Sequence, residues 1–250
     1  MSNSLSNWSR PYYQAGGRKP FLFYAVFGEF VLDKELEAAT TVLPGGLDLR
    51  VIESAFFTEG ASWELCCAHS PQVAEKVRAC SQAMVLKGEV SSQESLDYLK
   101  STLDFLTYLT DRGGRVVYDP FTLSGYSKEE WLDREERGQI FNPFDHTVLL
   151  SSPESGGVWL HTRGLIKFGR PDLSVRGLSE EEVSVLKKVI DRFISFQALG
   201  GVIEPHREIV LEGVDTGFRP GTMKGDLDDP DFNNTHVEFE RQVYTPEAAL

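Results

Sequence analysis

Serine–glutamate pairs spaced three residues apart recur along the chain and predict where its helices begin. In the pattern Ser-x-x-Glu, the serine side chain accepts a hydrogen bond from the glutamate backbone N–H, and the glutamate side chain accepts one from the serine backbone N–H. The pairs are Ser91 with Glu94, Ser127 with Glu130, and Ser179 with Glu182. The first and third precede apolar residues at helical spacing that end at the glycine pairs 113–114 and 200–201. The sequence therefore predicts three capped helices.

Short apolar runs between these helices predict strands. Residues 20–27 form a continuous apolar and aromatic run, which is typical of a buried strand. Residues 47–57 and 62–69 are predicted to form a hairpin, followed by a helix at 70–83 with Ser70 as N-cap and Pro71 at its first position. Further strands are predicted at 115–120, 146–152, 158–163, 172–177, 207–213 and 236–244. Because hairpins outnumber parallel crossovers, we expect an α+β fold with a mixed, largely antiparallel sheet and helices packed on it.

The length of 250 residues is sufficient to bury a large core in one domain. Residues 1–18 are polar and rich in Ser, Asn and Gly, which predicts a flexible leader. We expect an α+β domain at 19–213, with residues 214–250 adding a long acidic loop and a C-terminal strand to the same domain. Three cysteines without framework spacing, and the lack of a signal-like apolar run, predict a cytoplasmic protein.

The formal net charge of −13 restricts the class of partner. A surface this negative repels phosphate backbones and anionic membranes, so we expect neither nucleic acid nor a membrane as partner. A basic protein partner or a cationic ligand fits the charge better.

The segment VWLHTRGLIKFGRPDLSV, residues 158–175, concentrates charged side chains among glycines. Its candidate ligand-binding residues are His161, Arg163, Lys167, Arg170 and Asp172. His161 and Arg163 alternate along a predicted strand and share a face with Trp159, so the cluster could hold a carboxylate or phosphate. In the alternative interpretation, Arg163 and Arg170 pair with Asp172 or glutamates, and the segment is a corner of the fold. The corner is then predicted to have a turn that buries Leu165 and Phe168, with Pro171 starting an edge strand.

The sequence offers no recognised catalytic or metal-binding pattern. No nucleophile stands at an established spacing from His161, and there is no P-loop, GxGxxG, HExxH or GxSxG. The group Cys66, Cys67, His69 and Cys80 matches no zinc spacing, and buried apolar cysteines account for it better. Residues 225–234 are rich in Asp but depart from the EF-hand pattern, so a solvated acidic turn is expected rather than a calcium site. We expect no catalytic residue, no metal and no cofactor.

Two stretches together resemble a bacterial family of α+β proteins that has no assigned activity. They are YDPFTLSGYSKEEWL at 118–132 and the motif His-Thr-x-Gly-(Leu/Met)-x-x-Phe-Gly-(Arg/Lys)-Pro-(Asp/Glu). The matching residues are His161, Thr162, Gly164, Leu165, Phe168, Gly169, Arg170, Pro171 and Asp172. The resemblance covers roughly 115–200. Some relatives resemble immunity proteins, which implies a binding role and supplies no catalytic residues.

Two functions follow as hypotheses. The first is a non-catalytic, immunity-like binding protein that presents an acidic surface to a basic protein partner. The second is a small-molecule enzyme or ligand-binding domain with an anion site near His161, Arg163 and Arg170.

Overall fold

A computed structural model of the protein describes residues 8–91, 94–137, 141–207 and 217–242. The chain forms two compact units, Met1–Pro11 with Lys19–Asn142, and Tyr12–Arg18 with Pro143–Leu250. Each unit contains one five-stranded, mostly antiparallel sheet together with helices, so the predicted α+β class is confirmed. The assignment of residues 19–213 and 214–250 to a single domain stays a prediction.

The sheet of the first unit has the strand order β2-β3-β1-β4-β5, and every pair in it is antiparallel. Its strands are β1 (Phe21–Gly28), β2 (Leu47–Glu53), β3 (Gln82–Glu89), β4 (Gly114–Asp119) and β5 (Ser124–Ser127). The continuous apolar run of β1 is explained by its place between β3 and β4. There Phe27 pairs with Ala83 on one side and Val116 on the other.

The described residues of the first unit form five α-helices. They are α1 (Lys34–Ala39), α2 (Ala61–His69), α3 (Pro71–Arg78), α4 (Asp97–Asp111) and α5 (Lys128–Arg137). Side chains of α2 and α3, among them Trp63, Val73 and Val77, join Phe27 and Val116 in one buried cluster. The predicted capping box of α5 is confirmed, since Ser127 and Glu130 exchange side-chain-to-backbone hydrogen bonds of 2.8 and 3.3 Å.

The second unit places a long helix against its sheet. The strands, in the order β6-β7-β8-β10-β9, are β6 (Val148–Glu154), β7 (Gly157–Arg163), β8 (Asp172–Leu178), β9 (Gly217–Lys224) and β10 (His236–Gln242). Helix α6 (Glu180–Ala198) packs on it, with the Phe193 and Phe239 ring centroids 5.1 Å apart. The capping box of Ser179 and Glu182 at the start of α6 is confirmed. The parallel pair is β8 with β10, and it places His236 beside Asp172.

Several predicted elements are wrong. Residues 62–69 lie in helix α2, and β2 pairs instead with β3, a strand that the prediction assigned partly to a helix. Helix α4 begins at Asp97 rather than near Ser91, and Ser95, two residues before it, forms a β-bridge with Ser9. The long loop predicted after residue 213 contains strand β9 (Gly217–Lys224), and residues 225–235 form a loop. The strand predicted at 207–213 lies almost entirely outside the described residues.

Residues 8–18, within the predicted leader, pack against the rest of the chain. Trp8 and Arg10 are buried in the first unit, and the backbone N–H of Tyr12 donates to Leu199 in the second. None of the helices in the described ranges combines the length and the apolar composition needed to cross a bilayer.

Candidate functional site

The candidate site is the corner between β7 and β8, where the sequence places its cluster of charged residues. A single 3-10 turn, Leu165–Phe168, links the two strands and buries both of its end side chains completely. Gly164 and Gly169 flank this turn with φ of 105° and 66°, a conformation that residues with a Cβ rarely adopt. The prediction of a turn that buries Leu165 and Phe168 is confirmed. The prediction that Pro171 starts an edge strand is wrong, because β8 lies between β7 and β10.

Arg170 is buried, and each nitrogen of its guanidinium donates to backbone carbonyl oxygens. Nε donates to Gly201 at 2.8 Å, and the two terminal nitrogens donate to Gly200 and Gly16, both at 2.6 Å. Further bonds reach Gly169 at 3.3 Å and Gln14 at 2.9 Å. These five bonds match the five N–H donors of an arginine. Arg170 therefore ties residues 14–16 and the chain after α6 to the corner, and an anion would have to displace these carbonyls.

Arg163 lies at the end of β7 and binds the segment of residues 225–235, which we name the strap. The strap covers the sheet face that carries Trp159 and His161. One terminal nitrogen donates to the carbonyl oxygens of Pro230 and Asp231, at 3.3 and 2.5 Å. The other donates to the side-chain oxygen of Asn233 at 2.6 Å. Like Arg170, Arg163 uses its charge to satisfy oxygens of the chain itself.

Asp172 is fully buried and accepts hydrogen bonds from three directions. Its donors are the Thr162 hydroxyl at 2.8 Å, the Asn234 amide at 2.8 Å and the Leu165 backbone N–H at 3.3 Å. Burial raises the pKa of Asp172 to about 6, while these bonds and the charge of Arg163 act in the opposite direction. The carboxylate thus joins the corner to the strap.

His161 lies under the strap in a stack of rings. Its ring centroid is 3.8 Å from that of Trp159, in a stacked arrangement, and 5.4 Å from that of Phe232. Burial and the neighbouring charges of Arg163, Arg176 and His236 lower the pKa of His161 to about 4, so the ring is neutral near pH 7. Within the described part of the chain, its Nδ1 has no hydrogen-bond partner.

Lys167 is fully buried in the 3-10 turn, and its ammonium donates to the backbone oxygen of His146 at 2.9 Å. The structure thus brings all five predicted residues together at one corner. The three cations have backbone oxygens among their partners.

The sequence prediction missed the residues that complete this face of the sheet. The guanidinium of Arg176 lies 3.9 Å from the Trp159 ring centroid and 2.7 Å from Glu154. His236 stacks on Phe232 with ring centroids 4.0 Å apart. No local signal in the sequence connects β10 with the corner, because the two segments are far apart in the chain and the β8–β10 pairing brings them together.

The acidic strap uses its aspartates to form turns. Oδ1 of Asp226 accepts the N–H of Asp228 at 2.9 Å, and Oδ1 of Asp229 accepts the N–H of Asp231 at 3.0 Å. Across the described ranges, no group of three or more His, Cys, Asp and Glu residues is arranged to hold a metal ion. The side chains of Asp226, Asp228 and Asp231 remain exposed.

Comparisons with protein-family models, with curated proteins and with solved structures found no match to this chain. The resemblance to a bacterial α+β family therefore stays a prediction.

Proposed function

We propose that the protein is a non-catalytic, immunity-like binding protein that acts in the cytoplasm and presents an acidic surface to a basic protein partner. The observation that carries this proposal is the contrast between its buried cations and its exposed carboxylates. Arg163 and Arg170 are 4% exposed and donate to carbonyl oxygens, so they contribute little positive potential at the surface. The formal net charge of the chain is −13.

The strap is the part of the second unit best suited to meet a partner. Arg163 and Asp172 bind it from beneath, and its own Phe232 is buried. Its exposed side chains, Asp226, Asp228 and Asp231, are thereby presented on a backbone that is already ordered. Such preorganisation lowers the entropic cost of association, and complementary charge accelerates it.

The alternative function, an anion site at the corner, has less support. A phosphate or carboxylate would have to replace several carbonyl partners of Arg170 at once, and each orphaned carbonyl would cost about 1–3 kcal/mol. We therefore expect a panel of phosphate, sulfate and dicarboxylates to leave the thermal unfolding temperature unchanged. A concentration-dependent rise that is lost in Arg163→Ala would instead favour the anion site.

The proposal is tested with an arginine-rich decapeptide, titrated into the purified full-length protein by calorimetry. A triple variant, Asp226→Asn, Asp228→Asn and Asp231→Asn, removes the strap charges. Asparagine keeps the side-chain oxygen that these turns require. The control carries the same change in charge within the first unit at three exposed glutamates, Glu37→Gln, Glu64→Gln and Glu75→Gln.

We expect the strap variant to bind the peptide at least about fivefold more weakly than the wild type, and the control to lose less than about twofold, since exposed charges act mainly at short range in salt. The wild-type affinity should fall as salt is raised. No binding by the wild type would overturn the proposal, and so would equal weakening in the two variants.

A further inference from the structure

A groove runs along one side of α6. Its volume is about 440 Å³, which falls within the range of sites that enclose small molecules or side chains. Asp191, Ser195 and Leu199 line it at intervals of four residues, so they form one stripe of the helix. Tyr12 reaches it because its backbone N–H donates to the carbonyl of Leu199 at 3.0 Å. We name this feature the α6 groove.

Aromatic rings form most of the apolar lining of the α6 groove. The Tyr12 and Phe196 ring centroids are 5.8 Å apart with a tilt of 36°. Phe144, from the 3-10 turn Pro143–Asp145, also lines the groove. Tyr12 is 53% exposed and Phe144 45% exposed, an unusual exposure for two large rings beside one groove. Exposed apolar groups gathered in this way are typical of a surface that receives a ligand.

The α6 groove contains one negatively charged residue, Asp191, that has no counter-charge in contact with it in the described ranges. The side chain of Asp191 makes no hydrogen bond or ion pair with any described residue, and only the longer-range attraction of Lys187, one helical turn earlier, acts on it. Partial burial raises the pKa of Asp191. The other charged lining residue, Arg192, is solvent-exposed and already takes part in an interaction within the chain.

We propose that the α6 groove receives an arginine side chain of the basic partner, an inference that rests on the function proposed above. A guanidinium is planar, stacks on aromatic rings and binds a carboxylate with two parallel hydrogen bonds. The groove supplies Tyr12 and Phe196 for stacking and Asp191 for the hydrogen bonds. The net charge of −13 favours the approach of a cationic chain to the same protein.

The first experiment uses single amino acids as probes. Nα-acetyl-arginine methylamide is titrated into the ¹⁵N-labelled protein, and the amide resonances of Tyr12 and of residues 191–199 are followed. Nα-acetyl-citrulline methylamide has the same shape without the charge, and Nα-acetyl-glutamate methylamide has the opposite charge. We expect concentration-dependent shifts with the arginine probe that Asp191→Asn abolishes. Equal shifts with citrulline, or larger shifts with glutamate, would overturn the proposal.

The second experiment measures the arginine-rich decapeptide against groove variants. Asp191→Asn should weaken its binding about fivefold or more, and Tyr12→Leu, which keeps an apolar side chain, about twofold to fivefold. Glu181→Gln, an exposed change at the start of the same helix, should leave the affinity within twofold. If both groove variants bind the decapeptide with wild-type affinity, the proposal that the groove receives an arginine is wrong, while the proposed function stays intact. If the wild type does not bind the decapeptide, the proposed function is wrong. The single-residue probes would then show whether the groove binds an arginine side chain.

Discussion

The side-chain nitrogen of Asn234 lies 2.8 Å from Oδ2 of Asp172 and 2.9 Å from the carbonyl oxygen of Arg170. The two hydrogens of one amide nitrogen thereby satisfy a buried carboxylate and a buried carbonyl in a segment more than 60 residues earlier in the chain. Asn234 is 1% exposed and Asp172 is fully buried. This contact joins the strap to the corner. The stability of the strap therefore depends on the charges at residues 172 and 234.

Replacing Asn234 by Asp tests this contact directly. The variant removes both donated hydrogen bonds and places two carboxylates against each other in a buried site, so the free energy of unfolding should fall by about 3 kcal/mol or more at pH 7. The loss should shrink at pH 5, because one shared proton relieves the repulsion. Urea unfolding of the variant and the wild type at the two pH values measures this loss in the free energy of unfolding. Asn234→Ala, which adds no charge, should show a smaller dependence on pH. An aspartate variant that is equally stable at both pH values would contradict the geometry.

His161 and Asp172 should give opposite contributions to the pH dependence of stability. The pKa of Asp172 rises from 3.8 to about 6 on folding, so its contribution is full below pH 3.8 and is lost as pH rises through 6. The pKa of His161 falls from 6.5 to about 4, so its contribution is full above pH 6.5 and is lost as pH falls through 4. Each shift corresponds to roughly 3 kcal/mol at 1.36 kcal/mol per pKa unit.

The variant His161→Phe separates the two contributions, since phenylalanine keeps the ring stacked on Trp159. Between pH 7 and pH 4, its free energy of unfolding should rise by roughly 3 kcal/mol relative to that of the wild type. Other carboxyl groups titrate alike in both proteins and cancel in the difference. Unfolding free energies measured at half-unit pH steps provide the comparison. If the free energies of unfolding of the variant and the wild type change with pH in parallel, His161 does not titrate in a buried, cation-rich site.

Arg170 should be among the most costly residues to truncate in the second unit. Arg170→Ala leaves five carbonyl oxygens without these donors, and we expect a loss of about 4 kcal/mol or more in the free energy of unfolding. Arg170→Lys keeps the charge and three donors but lacks the planar fork, so its loss should be intermediate. Hydrogen exchange in β7, β8 and β10 should increase in the same order. A loss below about 1 kcal/mol in the alanine variant would mean that the hydrogen bonds of Arg170 contribute little to stability. That result would favour an anion site at Arg170.

The confirmed capping box gives a smaller, local prediction. Ser179→Ala removes the acceptor for the Glu182 backbone N–H, which should lower the free energy of unfolding by about 1 kcal/mol. Ser179→Asp keeps an acceptor next to the positive end of the helix dipole and should cost less. Thermal unfolding of the two variants against the wild type measures the difference. Equal losses would mean that the hydroxyl does not cap α6.

Local sequence signals were reliable where neighbouring residues decide the structure. The apolar run of β1, the capping boxes of α5 and α6, and the turn at Leu165–Phe168 were all predicted from their own residues. The signals were ambiguous at α2, where Trp63 and Cys67 at helical spacing turn towards the core, although alternating residues also fit a strand. Strand β3 was missed because its four buried residues, Ala83–Leu86, form a run too short to distinguish strand from helix.

The sequence alone determined that charged residues meet at a glycine-flanked corner between two strands, because the turn and its neighbours depend on local backbone preferences. The tertiary structure decided what those charges do. Arg163 and Asn233 are 70 residues apart, and Arg170 and Gln14 are 156 apart. Such contacts depend on which strands pair and which segments pack together, and no local propensity encodes either. The energetic cost of leaving buried carbonyls unsatisfied favours these cations as their partners.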